Sequence, residues 1–250
     1  MRAFNYTATI ALLLLTCILA FGQGCSKLAG QTSSSSTGTS QTKASECAAP
    51  AGVSGQPKTI EEAVALVNAL PMPVSVGCFL ESLDRPLKVV LTESTTSAQP
   101  AAGRRSPRVF IFSGELIISV VPAGFGSEVV EFGQRTGPDT TIKAEIAFPV
   151  TAPLAPDAPY SRILDRNGRT GCALCHNSET RVGSIAFAEA FQSRAFRPRE
   201  ELLVELPSLK LEWQSCDPKQ EPARCKILDG MFGFGPVQST AFPAEMPTFF

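Results

Sequence analysis

Val109-Phe110-Ile111-Phe112-Ser113-Gly114-Glu115-Leu116-Ile117-Ile118 reads as two short apolar runs joined across a Ser-Gly step. Runs this short, rich in β-branched and aromatic residues, form strands, and a glycine between them allows a tight hairpin. Both runs are continuously apolar, the pattern of strands buried on both faces. Working outward, residues 74–80, 87–92, 108–113, 115–121, 128–132 and 140–148 are rich in Val, Ile and Phe, with Gly, Pro or Ser clusters between them. Each is predicted to be a strand. Lys143-Ala144-Glu145-Ile146 alternates, as a half-exposed strand does. The set predicts an antiparallel sandwich or partial barrel. It holds no catalytic motif, and Arg104-Arg105 reads as a solvated loop.

Before the strands, Thr59-Ile60-Glu61-Glu62 forms a capping box. Ile60, Ala63, Val64, Val67 and Leu70 follow at helical spacing, and Pro71 and Pro73 stop the helix. After the strands, residues 149–159 (PVTAPLAPDAP) hold four prolines and read as a stiff connector. The last hundred residues turn mostly helical and irregular, with helices expected over 184–195 and 222–232. In the second helix Cys225, Leu228, Met231 and Phe232 could share one face. The expected class is α+β. A β-rich, sandwich-like domain with one N-terminal helix spans 47–150, and a small, mostly helical and irregular region spans 151–250.

The first 46 residues read differently. An apolar stretch over 8–21 is too short to cross a membrane and fits the h-region of a signal peptide spanning 1–24. Residues 25–46 are a Ser/Thr/Gly-rich tract that cannot bury enough surface to order itself, so a flexible linker is expected. Lys and Arg number 22 against 23 Asp and Glu. That balance argues against nucleic acid as a partner, because phosphate binding needs a positive surplus. The chain has one histidine, His176, which excludes any site needing two.

Eight cysteines are present. Cys17 lies in the signal. Cys25, Cys172 and Cys175 fall in motifs described below. Cys47, Cys78, Cys216 and Cys225 remain and allow three pairings. In an oxidising compartment, proximity favours Cys47–Cys78 and Cys216–Cys225.

Cys172-Ala173-Leu174-Cys175-His176 is the strongest chemical signal. Two thiols three positions apart can reach both vinyl groups of one haem, and the adjacent imidazole can reach its iron. These residues resemble the haem-attachment motif of c-type cytochromes. The resemblance implies one covalent haem c on Cys172 and Cys175, His176 as proximal iron ligand, periplasmic maturation and a role in electron transfer. Met246-Pro247-Thr248-Phe249 resembles the segment that carries the distal methionine ligand in many monohaem cytochromes c, which makes Met246 the candidate sixth ligand. Four residues follow Met246, where class I cytochromes c continue into a long helix, so an ordinary class I protein is not expected. Gly22-Gln23-Gly24-Cys25 resembles a bacterial lipobox, which implies a lipid on Cys25 and a membrane anchor. Ser26 beside it resembles lipoproteins of the outer membrane. The expected location is the cell envelope, facing the periplasm, with a redox protein as partner and an electron carrier favoured over an enzyme. A soluble periplasmic or secreted form is the alternative.

Other readings of the motif are a redox dithiol, a zinc site on Cys172, Cys175, Cys216 and Cys225, and a plain disulfide. Two further function classes remain: a five-coordinate haem peroxidase or sensor, and a haem-free, disulfide-stapled β-rich lipoprotein acting as a binding module.

Overall fold

The central hairpin forms around Gly114, whose φ of +62° lies in the left-handed region that favours glycine. The turn itself is Gly114-Glu115, one residue later than expected. The computed structural model describes residues 45–176 and 178–249. The signal peptide, Cys17, Cys25 and nearly all of the 25–46 linker lie outside the described residues. The described residues belong to one compact unit.

In chain order the elements are α1 (Ile60–Ala69), α2 (Val76–Glu81), β1 (Leu87–Thr92), β2 (Arg108–Ser113), β3 (Leu116–Val120), β4 (Val129–Arg135), β5 (Thr140–Ala147), α3 (Ala158–Ser161), β6 (Thr180–Arg181), β7 (Phe191–Arg194), α4 (Leu206–Gln214), α5 (Pro222–Phe232) and β8 (Val237–Ser239). The class is α+β. All eight strands belong to one sheet, ordered β6-β7-β5-β4-β3-β2-β1-β8, where two packed sheets or a partial barrel were expected. It is antiparallel except where β8 runs parallel to β1. β7 pairs with β5 and β8 with β1, so the sheet draws strands from both sides of residue 150. Among the described residues no helix is long and apolar enough to cross a membrane.

Two expected elements change type. Residues 76–81 form helix α2, not a strand. Val76–Leu80 is buried throughout, so its apolar run carries no period that separates strand from helix. The Ser75 hydroxyl accepts from the Cys78 amide and starts the helix. Residues 184–195, expected to be helical, are irregular and end in β7, whose pairing with β5 overrides local propensity. Helix α4 was not expected.

The expected N-terminal cap is present. Thr59 Oγ1 accepts from the Glu62 amide, while the Glu62 carboxylate takes the amide of Lys58. The cysteines pair as Cys47–Cys78 and Cys216–Cys225. The first ties the start of the described chain to α2. The second closes the loop between α4 and α5.

One face of the sheet makes the core. The cross-strand row Val89, Ile111, Ile118, Phe132 and Ala144 runs over five strands, and every member is buried. Helices α1, α2 and α5 contribute Leu66, Phe79, Leu80 and Leu228 to the same cluster. Helices α2 and α5 meet at glycines: a Cβ on Gly230 would strike the Gly77 carbonyl. Arg85 fastens the crossing by donating to the carbonyls of Leu80, Gly230 and Met231. Arg104 and Arg105 are exposed, as a solvated loop requires, and ion-pair with Glu93 and Glu212.

Ile118 lies at the centre of the core row, so Ile118→Ala should lower stability by about 2–5 kcal/mol through lost burial and a residual cavity. Phe125→Ala, at a site 77% exposed, should change it by less than about 0.5 kcal/mol. Urea unfolding with an unchanged slope measures both.

Candidate functional site

The pleat sends the alternate residues of the same strands to the opposite face. There one cross-strand row runs Phe110, Ser119, Glu131 and Glu145, and the next runs Phe112, Ile117, Gly133 and Lys143. β2 therefore alternates in burial, unlike the strand buried on both faces that its sequence suggests, whereas β3 is buried throughout. Above this face lies a cleft of about 400 Å³. The sheet is its floor. Its walls come from residues 92–98, 162–176, 195–198 and the tail around 242–249.

The Cys172–His176 motif forms one wall. Gly171–Leu174 is a 3-10 turn. The His176 amide donates to the Cys172 carbonyl at 2.8 Å, so these two residues sit one helical turn apart. Both line the cleft, as does Cys175. Neither cysteine is disulfide-bonded. Just before the motif Arg169 and Gly171 are exposed, but Thr170 is buried, and its amide and hydroxyl both donate to Glu179. A redox dithiol of the thioredoxin kind needs a strand before and a helix after the motif, and neither flanks it. The zinc reading loses two of its four ligands, because Cys216 and Cys225 are bonded to each other. Among the described residues no three of His, Cys, Asp and Glu gather as a metal-binding cluster.

His176 Nδ1 lies 2.6 Å from the carbonyl oxygen of Arg194. That contact makes Nδ1 the protonated nitrogen, donating to the carbonyl, and leaves the Nε2 lone pair for a metal. The ring packs against Phe196 at 5.5 Å, and Phe196 meets Phe249 at 5.2 Å. Burial pushes the His176 pKa down to about 4, and the nearby Lys143 cation adds to the effect. Burial likewise raises the Cys172 thiol, against the pull of Lys143.

Met246 forms the other wall. It is 1% exposed and packs on Ile117 and Ala195 beneath Phe110, Phe112 and Phe242. Its segment is held by backbone pairing to the chain just after β7. Arg197 donates its amide to the Pro247 carbonyl, and Phe249 returns one to Arg197. The Arg197 side chain also donates to the Met246 carbonyl. The other two described methionines lie elsewhere: Met231 is fully buried in the main core and Met72 packs against it.

Cys172, Cys175, His176 and Met246 are thus brought to one cleft, although Met246 lies seventy positions beyond His176. Cys25 lies outside the described residues. The donor set suits an iron porphyrin: two free thiols, an imidazole with Nε2 available, a buried thioether, and aromatic walls for a flat apolar ring. Not foreseen was the charged floor of Arg108, Glu131, Lys143 and Glu145, reached from the side by Arg162. The alternation in Lys143-Ala144-Glu145-Ile146 was its sequence signal. No family model matches the chain, and neither does any curated protein or solved structure.

A depressed His176 pKa means that the unfolded chain takes up the proton first. Without cofactor, stability should therefore hold above pH 6.5 and fall as pH drops towards 4. His176 is the sole histidine, so its imidazole resonances report directly. A proton NMR titration of the cofactor-free chain should give a midpoint near 4, whereas one near 6.5 would mean a solvated ring.

Proposed function

We propose that this chain is an exported c-type haem protein that carries single electrons at the cell envelope. The observation that carries the reading is the meeting of the Cys172–His176 motif with Met246 in one aromatic-walled cleft. Haem would supply a one-electron couple at its iron. In this reading Cys172 and Cys175 would hold the haem covalently through thioethers to its two vinyl groups. His176 Nε2 would ligate the iron, with its ring held by the hydrogen bond to the Arg194 carbonyl. Met246 would supply a thioether ligand to the iron, which would raise the reduction potential. Phe110, Phe196, Phe242 and Phe249 line the cleft and would keep water from a ring held there.

The mouth of the cleft is where electrons would enter and leave. Cys175 is exposed there, and Leu174 is 89% exposed. A redox protein of the envelope is the partner, and a lipid on Cys25 followed by the 25–46 linker would hold the domain near a membrane, the outer membrane in preference to the inner. Two disulfides in the described residues agree with an oxidising compartment.

Full-length chain made in a periplasm with haem-maturation enzymes should gain the mass of one haem and show the sharp reduced bands of haem c. Cys172→Ala with Cys175→Ala should abolish that covalent gain. Met246→Ala should keep the haem but turn its spectrum from low-spin to high-spin. An unchanged low-spin spectrum rules out methionine ligation. An unmodified mass with Cys172 joined to Cys175 sinks the haem reading and leaves a haem-free binding lipoprotein.

A further inference from the structure

A glycine inside a strand weakens it, because the unfolded chain gains backbone entropy and no side chain packs. Gly133 stands in the middle of β4, in the floor row Phe112, Ile117, Gly133 and Lys143. Other glycines are required by the protein itself. Gly114 holds the positive φ of its turn, and Gly77 and Gly230 let two helices touch. Gly133 answers neither need. Its φ lies outside the left-handed region, and β4 pairs in unbroken register with β3 and β5 around it, without a bulge. The first atoms that a Cβ would meet belong to the Thr141 side chain, at 3.5 to 3.6 Å, an ordinary van der Waals contact. The fold therefore has room for a Cβ that the sequence does not supply. A glycine of this kind marks a place where a ligand approaches the backbone.

The neighbours of Gly133 in that row say where the ligand lies. On one side is Ile117 of β3, on which Met246 packs. On the other is Lys143 of β5, close enough to Cys172 to interact with it electrostatically. Ile117 and Lys143 are two strand spacings apart, roughly 10 Å. The floor thus carries a side chain beneath each wall of the cleft and bare backbone between the walls. Thr141, beside the bare stretch, is 1% exposed, and its hydroxyl has no partner among the described residues. The protein's own atoms leave this corner of the cleft incomplete. We infer that Gly133 is a notch in the floor that admits the edge of the bound haem and sets how deeply the ring sits. This rests on the haem reading above. Depth matters because Met246 is fixed near the floor by Ile117 and Ala195. A side chain at position 133 lifts the ring, and Met246 cannot follow it. The thioethers to Cys172 and Cys175 still hold the haem in the chain.

The test uses the full chain, cofactor-free and haem-loaded, with Gly133→Ala and Gly133→Val. Cofactor-free Gly133→Ala should melt at or above the wild-type temperature, because alanine loses less backbone entropy and its Cβ has room. A lower melting temperature means that the protein itself needs the glycine, and overturns the inference. Haem-loaded Gly133→Val should keep its covalent haem by mass but lose the low-spin spectrum, as the ring rises off Met246. A wild-type spectrum in that variant overturns the inference. The wild-type chain gives an independent readout should Gly133→Val fail to fold. With its glycines labelled at 13Cα, the Gly133 α-proton that points into the cleft should move downfield in the reduced haem-loaded chain, because it lies just beyond the ring edge. An unmoved resonance in a chain that carries haem removes the notch and leaves the haem reading standing. A wild-type chain that gains no haem overturns the haem reading itself, and the notch with it.

Discussion

A pleated strand must send successive side chains to opposite faces, and every other feature of this molecule depends on how that alternation is used. On β4 and β5, Phe132, Ala144 and Ile146 seal the hydrophobic core. Their immediate neighbours Glu131, Lys143 and Glu145 face the cleft. One sheet therefore serves as the wall of an apolar interior and as the floor of a polar site. The helices gather on the first face and leave the second to loops and the C-terminal tail. A slip of one residue in the β4–β5 register would put charges in the core and phenyl and methyl groups in the cleft, so the core fixes the floor.

The two sides of the cleft are joined through one short stretch of backbone. β7 pairs with β5, which fixes residues 191–194 to the sheet. The carbonyl of Arg194 then holds His176, and three positions on, Arg197 pairs with the segment after Met246. An extended chain rises about 3.3 Å per residue, so these anchor points lie roughly 10 Å apart. Among the described residues no disulfide links the motif turn to the tail. Their meeting depends on this strand, which ties the geometry of the site to the stability of the whole sheet.

The parts of the structure with local chemical signals were legible in the sequence. Thr59 and Glu62 announce α1, the 108–121 segment announces the hairpin, and four cysteines close in pairs pointed to both disulfides. The five adjacent residues Cys172–His176 likewise pointed to a segment that the fold places in the wall of the cleft. Where long-range pairing decides, the local pattern misleads. Residues 184–195 look helical, yet their end joins β5 as a strand, and β8 joins β1 from more than a hundred residues away. Helix α2 was unreadable by period because it is buried all round. The floor of the cleft lay between these cases. Alternation in β5 showed that Lys143 and Glu145 share a face, but only the fold says what that face meets.

The account stands or falls on whether His176 and Met246 hold one ring between them. Selective 13C labelling of the methionine methyl groups in the reduced, haem-loaded chain tests this most directly, because a ring current shifts a methyl that lies over the macrocycle and leaves distant ones in place. The account predicts one strongly displaced methyl, lost in Met246→Ala, with the methyls of Met72 and Met231 at ordinary positions. Three methyls at ordinary positions in a chain that carries covalent haem would contradict it and place the ring elsewhere.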